Sequence, residues 1–192
     1  MRRPDLVADC ARCAAICCVA TAFDASDDFA HDKPAGEACR YVKRDHRCAI
    51  HGELAVRGFA GCAAYDCYGA GPRAARAFAG HPGSDPARDE LFRVLRPLHE
   101  LLWLLTEAIA LCPASHPGLA ADLASEIATL DALAEATVTA RAAAAAALAD
   151  IAPSSTLSSH EQRARSLLRR VGSALGGRRR GRRSLPIAPP ES

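Results

Sequence analysis

The fold class is decided by residues 85–112, DPARDELFRVLRPLHELLWLLTEAIALC, which have the period of an amphipathic helix. Asp85 is a suitable N-cap, and Pro86 suits the first helical position. Apolar residues then recur mainly at spacings of three and four: Leu91, Val94, Leu95, Leu98, Leu102, Leu105 and Ile109. We expect Pro97 to kink or split this helix, and Pro113 to stop it.

The sequence that follows predicts two more helices. Residues 117–150 carry an apolar stripe formed by Leu119, Leu123, Ile127, Leu130 and Leu133. A capping box at Ser158 and Glu161 opens the third helix. We expect the glycine pair at 176–177 to end it, because glycine is a poor helix former.

Composition and charge divide the chain into three parts. Residues 1–72 contain eight of the nine cysteines and are predicted to form an irregular cysteine-rich metal-binding module. Residues 84–176 are predicted to form a helical hairpin or a three-helix bundle, so the expected fold class is mainly α. Residues 177–192 are predicted to be a disordered, arginine-rich tail.

The cysteine-rich part has little periodicity. Residues 5–22 are predicted to be helical, because Cys10, Cys13 and Cys17 recur at i, i+3 and i+7 and would share one helix face. Residues 23–68 show neither a helical nor a strand pattern. A stretch of this length without regular structure is unusual in a compact domain, and cross-links through metal or disulfides would explain its order.

The density of thiols predicts metal binding. Eight cysteines lie between positions 10 and 67: Cys10, Cys13, Cys17, Cys18, Cys39, Cys48, Cys62 and Cys67. Thiolates ligate zinc and iron–sulfur clusters, and a structural zinc takes four Cys or His ligands. Together with His51, the set suffices for two tetrahedral sites, or for one four-cysteine site with spare thiols. The spacing is that of neither a zinc finger nor a ferredoxin, so particular ligands are not assigned.

Three other interpretations of the cysteines stay open. A disulfide scaffold would require export, and Asp5, Asp9 and Arg12 interrupt any signal peptide. Redox exchange at Cys10-x-x-Cys13 lacks the βαβ context of thioredoxin-like proteins. Some cysteines are expected to be small buried side chains, for which Cys112 is a candidate. No apolar run is long enough to span a membrane, and the expected location is cytoplasmic.

Several stretches resemble the N-terminal region of a group of actinobacterial pentapeptide-repeat proteins. The resemblance covers about residues 5–175 and is carried by Cys10-x-x-Cys13-x-x-x-Cys17-Cys18, Lys33-Pro-Ala-Gly36, Arg47-Cys48-x-Ile-His51 and Gly58-Phe59-x-Gly61-Cys62-x-x-Tyr65-Asp66-Cys67-Tyr68. The tandem A(D/N)LxX repeats of those proteins are absent, and Ala121-Asp122-Leu123 is an isolated match. The resemblance therefore implies nothing about functions of their β-solenoid, such as mimicking the shape of DNA.

The cysteine pattern is also similar, more loosely, to a zinc- or iron-chelating domain family with a CxxCxxxCC signature. That resemblance implies metal chelation by all eight cysteines listed above. The expected cofactor is therefore Zn²⁺ or an iron–sulfur cluster.

The function predicted from the sequence is non-catalytic metal binding, with a helical domain that self-associates or binds a protein partner. No catalytic residue is predicted, because no third group orients His51 towards Cys48, and Gly69-Ala-Gly71 lacks the context of a phosphate loop and is expected to be a hinge. His99, beside Trp103, is expected to be a hydrogen-bonded core or interface histidine. One alternative is an iron–sulfur-dependent enzyme or an accessory or maturation protein, and another is a disulfide-stabilised structural protein.

The arginine-rich tail is a candidate for contact with nucleic acid or an anionic membrane. Its basic residues are Arg178, Arg179, Arg180, Arg182 and Arg183. Arginines attract phosphate, but no interleaved aromatic residue is present to stack on bases. A solvated extension without a function is the other interpretation.

Overall fold

The structure is a computed structural model, and it describes residues 3–78, 86–144 and 154–181. These residues form six α-helices: α1 (Ile16–Ala20), α2 (Ala60–Ala64), α3 (Ala70–Ala77), α4 (Pro86–Leu111), α5 (Pro117–Ala144) and α6 (Ser154–Gly181). Two single-turn 3₁₀ helices, Pro4–Leu6 and His51–Glu53, complete the regular structure, and the only β pairing in the described ranges is three isolated bridges. The prediction of a mainly α fold is confirmed.

Helix α4 is the centre of the fold and contacts α1, α3, α5 and α6. Its predicted apolar stripe is buried, since Leu91, Leu95, Leu102 and Leu105 are all fully enclosed. The helix runs through Pro97 without a break, so the expected split is wrong. Proline removes one backbone hydrogen bond, and the burial of the leucines on both sides of it outweighs that loss.

Helices α5 and α6 pack against α4 and against each other, which completes a three-helix arrangement. The predicted α5 stripe is confirmed: Leu119, Leu123 and Leu130 are buried, and Ile127 and Leu133 pack at its margin. The part of this predicted helix at 145–150 lies outside the described residues.

Helix α6 differs from its prediction at both ends. It begins at Ser154, before the expected capping box, and it continues through the glycine pair to Gly181. The cost of a glycine inside a helix is only about 1 kcal/mol, so two glycines do not by themselves end one. The predicted end at 176–177 is therefore wrong, and residues 182–192 of the predicted tail lie outside the described residues.

The N-terminal segment is much less helical than its cysteine spacing suggested. Of the predicted helix over residues 5–22, only α1 forms, together with the 3₁₀ turn at Pro4–Leu6. Ala14 and Ala15 have φ angles of 51° and 56°, in the left-handed region, which is incompatible with a continuous right-handed helix. The Asp9 carboxylate also accepts a hydrogen bond from the Ala11 amide, a local turn that competes with helix formation. Cys10 and Cys13 consequently lie in turns.

The N-terminal segment and the long helices contribute to one cluster of buried side chains. From the N-terminal side come Leu6, Ile16, Ala20, Cys67, Ala70, Ala74 and Phe78. Gly69 begins α3 with φ +79°, and a Cβ at this position would lie 2.0 Å from the Asp5 carbonyl oxygen. The expected hinge at residues 69–71 is therefore wrong: it is the tightly packed start of a helix, and Ala70 and Ala74 are fully buried.

Candidate metal centre

The eight cysteines of residues 10–67 lie on turns and on two short helices. All eight, and Cys112, are free. Cys17 and Cys18 lie on α1 and Cys62 lies on α2, whereas the others lie in irregular segments. Cys17 and Cys18 are adjacent on α1, and their thiols are hydrogen-bonded to each other. We describe the eight thiols in two sets, which meet at Cys17 and Cys18.

The first set, here called the Cys13 set, consists of Cys10, Cys13, Cys17 and Cys67. It lies beside Gly71 of α3: a Cβ on that glycine would be 3.9 Å from the Cys13 sulfur and 3.6 Å from the Cys67 sulfur. Hydrogen bonding between the two thiols raises the pKa of Cys10 and lowers the pKa of Cys13 to about 7. The adjacent Cys18 thiol and burial raise the pKa of Cys17, and Cys13 and Cys67 add to that rise. Cys17 therefore interacts with Cys18 as well as with Cys13 and Cys67, so this set is continuous with the one that contains Cys18.

The second set, here called the Cys18 set, consists of Cys18, Cys39, Cys48 and Cys62. The Cys39 amide donates a hydrogen bond of 2.9 Å to the Cys18 carbonyl, which fixes the loop against α1. Val42 donates to the Cys39 carbonyl and pairs with Cys48 in an isolated bridge. Burial raises the pKa of Cys62 to about 11, and the Cys18, Cys39 and Cys48 thiols contribute to that rise. Residues 44 positions apart in the chain are thus brought together.

Neither set has the geometry of a coordination sphere. Within the residues that the structure describes, no group of three or more Cys, His, Asp or Glu side chains is arranged to hold a metal ion. The predicted ligands therefore do not converge on a common point.

His51 lies beside the Cys13 set. Although it is three residues from Cys48 in sequence, its ring interacts with the Cys10 thiol and opposes the rise in the pKa of Cys10. The side chain is exposed, at the start of the second 3₁₀ helix. This position favours a contact with Cys10 over the activation of Cys48 as a nucleophile.

An aromatic cluster that the sequence did not predict holds the irregular segment between α1 and α2. The Phe23 and Phe29 rings stack with their centroids 4.5 Å apart, and Phe59 packs edge-on against His31 at 5.2 Å and Tyr41 at 5.4 Å. Aromatic contacts of this kind add to the free energy of burial. Part of the order of residues 23–59 thus comes from packing and not from the cysteines.

Lys33 is the residue beside the thiols that sequence reasoning missed. Its side chain is 5% exposed, and its ammonium donates to the carbonyls of Val19, Pro34 and Glu37 at 3.2, 2.9 and 3.0 Å. Burial lowers the pKa of Lys33, and the nearby Cys39, Cys18 and Cys17 thiols oppose that effect. The sequence did distinguish Lys33, because the chain has only two lysines, Lys33 and Lys43, among its 24 Lys and Arg residues.

His99 occupies the position expected of a core histidine. It is fully buried on α4, its Nδ1 lies 2.7 Å from the Tyr68 carbonyl oxygen, and its Nε2 lies 3.3 Å from the Arg73 guanidinium. Burial lowers the pKa of His99. This histidine connects α4 to the start of α3, and the prediction of a hydrogen-bonded core residue is confirmed.

The arginine-rich tail is described only in part. Arg178, Arg179 and Arg180 lie on the last turn of α6, and Arg182 and Arg183 lie outside the described residues. None of the helices in the described ranges is long and apolar enough to cross a membrane.

Comparison with known proteins gives one informative similarity. No family model matches the chain, and no solved structure matches it. The chain is 38% identical over 113 residues to the uncharacterized protein YybG of Bacillus subtilis (strain 168). The match covers 56% of this chain and 40% of YybG, so it spans less than half the length of that relative. The name of this relative specifies no activity.

Proposed function

We propose that residues 10–67 form a non-catalytic metal-binding module that takes zinc or an iron–sulfur cluster through cysteine thiolates. The observation that carries this proposal is the presence of eight free cysteines between residues 10 and 67, with Cys13 and Cys67 both beside Gly71 and the Cys39 amide bonded to the Cys18 carbonyl. Four thiolates are the ligand set of many structural zinc sites and of iron–sulfur clusters. The resemblance to the CxxCxxxCC chelating family supports the same function.

The donor sets fit such a group in number and in chemistry. A cysteine sulfur changes its position by rotation about χ1 without movement of the backbone, so thiols that are already neighbours can turn towards a common centre. Ligand thiols must lose their protons, and sites of this kind complete their geometry as the ion binds. An ion bound by the Cys18 set would connect three segments: α1, the loop that carries Cys39 and Cys48, and α2.

The role that fits this position is structural or sensory. The cysteines lie in irregular segments and on short helices. His51 interacts with Cys10 and does not form a base–nucleophile pair with Cys48. Helices α4, α5 and α6 would then serve self-association or a protein partner. Free thiols in this number persist in a reducing compartment, which supports a cytoplasmic location.

Anaerobic purification followed by metal analysis tests the proposal. We expect stoichiometric zinc in colourless protein, or iron and sulfide in brown protein. Cys17→Ser is expected to lower the metal content and to destabilise residues 5–68 while α4, α5 and α6 stay folded. Cys112→Ser is the matched control, because Cys112 lies at the end of α4 and outside both sets, and it should leave the metal content unchanged. Metal-free wild-type protein in which all nine thiols titrate, and a Cys17→Ser variant with the same stability, would contradict the proposal.

A further inference from the structure

Helix α6 concentrates positive charge in a chain that is nearly neutral overall. Its sequence, residues 154–181, contains seven arginines and a single acidic residue, Glu161. The whole chain has a formal net charge of only +2, so the excess of arginine on α6 is a local property and is balanced elsewhere. A local excess of one sign of charge attracts partners of the opposite sign.

One face of α6 is open to solvent, on the side opposite the buried residues Ala164, Leu167 and Val171. Between positions 165 and 176 this face, here called the outer face, presents exposed residues at the helical period that are either arginine or small: Arg165, Ser166, Arg169, Gly172, Ser173 and Gly176. A Cβ added at Gly172 or Gly176 would meet no atom within 4 Å, so no described part of the chain covers the outer face there.

The arginines of the outer face differ from those on the flanks of the helix. The flanking arginines bind carboxylates of α5 at 2.7 Å, in the pairs Arg163–Glu126 and Arg170–Asp122. Among the described side chains, Arg165 and Arg169 form no ion pair, not even with Glu161 one turn before Arg165. Both guanidinium groups are therefore available to an anion from outside the chain.

The spacing of the arginines along α6 suits a duplex. The helix continues beyond Gly176 through three more arginines at positions 178–180. Positions 169 and 178 lie roughly 13.5 Å apart along the axis, at a rise of about 1.5 Å per residue, and the major groove of B-DNA is about 12 Å wide. A helix that crosses this groove thus places one group of arginines towards each bordering strand, and the small residues between them allow a close approach.

We infer that the outer face of α6 binds the phosphate backbone of double-stranded DNA, independently of the metal-binding function proposed above. Arginine recognises phosphate through paired hydrogen bonds as well as through charge. Single strands fit less well, because α6 contains no Phe, Tyr or Trp on which bases could stack. An anionic membrane also fits less well, because the apolar face that an interfacial helix inserts is buried in the core of this fold.

Fluorescence anisotropy of a short labelled DNA duplex of arbitrary sequence, titrated with the full chain, tests the inference. In the double variant Arg165→Gln/Arg169→Gln, we expect binding to weaken about tenfold or more at about 50 mM salt, because two phosphate contacts are lost. The slope of log K against log salt concentration should become shallower by about 1.8, since each contact contributes about 0.9. Arg165→Lys/Arg169→Lys keeps the charge and should retain most of the binding.

The matched control is Arg40→Gln/Arg44→Gln, which removes the same charge from two exposed positions of the cysteine-rich segment. It should bind DNA as the wild type does, and circular dichroism should show the same helix content in all variants. Duplex RNA of the same sequence should bind more weakly, because the major groove of an A-form helix is deep and narrow.

Four results would overturn the inference. The first is a wild-type chain that does not bind the duplex at the lowest salt concentration. The second is an equal loss of binding in the control variant, which would assign the effect to net charge alone. The third is binding of duplex RNA that equals or exceeds that of DNA. The fourth is binding of the chain to phosphatidylglycerol vesicles that is stronger than its binding to DNA and is lost in Arg165→Gln/Arg169→Gln.

Discussion

The Cys39 amide donates a hydrogen bond of 2.9 Å to the carbonyl of Cys18, and this contact joins two cysteines that lie 21 positions apart in the sequence. It fastens the loop before residue 40 to the short helix α1, and Gly36 adds a second hydrogen bond, of 2.8 Å, to the carbonyl of Val19. Helix α1 packs on α4, so the loop is connected to the centre of the fold through this helix of five residues. Any ion held by Cys18 and Cys39 would reinforce this connection.

If residues 10–67 bind a metal ion as proposed, its removal should loosen the loops and spare the long helices. We expect a chelator to increase amide hydrogen exchange of residues 36–48 strongly, while α4 stays protected because its leucines are buried independently of the thiols. Exchange measured by mass spectrometry, with and without chelator, checks this. Cys39→Ser provides the reference, since its exchange in this loop should already be fast and should not respond to the chelator. Equal responses of the loop and of α4 would contradict the prediction.

Most of the helical core could be predicted from the sequence, and the cysteine-rich region could not. The leucines of α4 and α5 repeat at the helical period over many turns, and their burial follows from that pattern alone. The spacing of Cys10, Cys13 and Cys17 imitates the same period, yet left-handed Ala14 and Ala15 interrupt it. Three residues at helical spacing do not establish a helix unless buried apolar residues repeat with the same spacing.

The candidate site could be predicted in composition but not in arrangement. Eight closely spaced cysteines identify the residues of interest, but their arrangement depends on contacts between distant segments, such as the hydrogen bond from the Cys39 amide to the Cys18 carbonyl. The position of Lys33 depends on three backbone carbonyls from residues 19, 34 and 37, and no local pattern specifies such a cradle. Contacts between distant residues, and not motifs, create both features.

His99 should make the fold sensitive to acid. Burial lowers the pKa of His99 below its usual value of about 6.5, so the folded state holds fewer protons than the unfolded state as the pH falls below that value. The stabilisation from the neutral ring is complete above the unfolded pKa and is lost progressively as the pH falls from it towards the lower, folded pKa. Urea unfolding followed by the fluorescence of Trp103 at pH 7.5 and 5.5 measures this loss.

The matched substitutions isolate the contribution of His99. In His99→Gln, which keeps a neutral polar side chain at this position, the free energy of unfolding should be lower at pH 7.5 and should depend less on pH. His46→Gln removes an exposed histidine and should keep the acid sensitivity of the wild type. An undiminished pH dependence in His99→Gln would show that other groups cause the acid response.

Glu126 should be a main determinant of how α6 docks. Its carboxylate is almost completely buried on α5 and accepts contacts of 2.7 Å from both His160 and Arg163 of α6. Glu126→Gln is expected to cost about 1–3 kcal/mol, because a buried charged acceptor with two partners is lost, and of these partners Arg163 is 61% exposed to water whereas His160 is only 19% exposed. Chemical denaturation followed by circular dichroism gives the value.

Asp122→Asn is the control for Glu126, since the ion pair between Asp122 and Arg170 also joins α5 to α6 but is about half exposed on both sides. An exposed pair of this kind contributes about 0–1 kcal/mol. Equal effects of the two substitutions would show that the burial of Glu126 has no energetic importance.

Glycine should be required at position 69 and dispensable at position 172. Gly69→Ala would place a Cβ 2.0 Å from the Asp5 carbonyl oxygen in a backbone with φ +79°, so the N-terminal 3₁₀ turn must move away from α3. We expect a loss of about 2–4 kcal/mol, from strain in the left-handed backbone together with lost packing of Leu6. Gly172→Ala, inside α6 with no atom within 4 Å of the new methyl group, should instead stabilise the chain by about 0.5–1 kcal/mol. Thermal unfolding of the two variants compares the effects, and a neutral Gly69→Ala would mean that the contact between the N-terminal turn and α3 is not part of the stable fold.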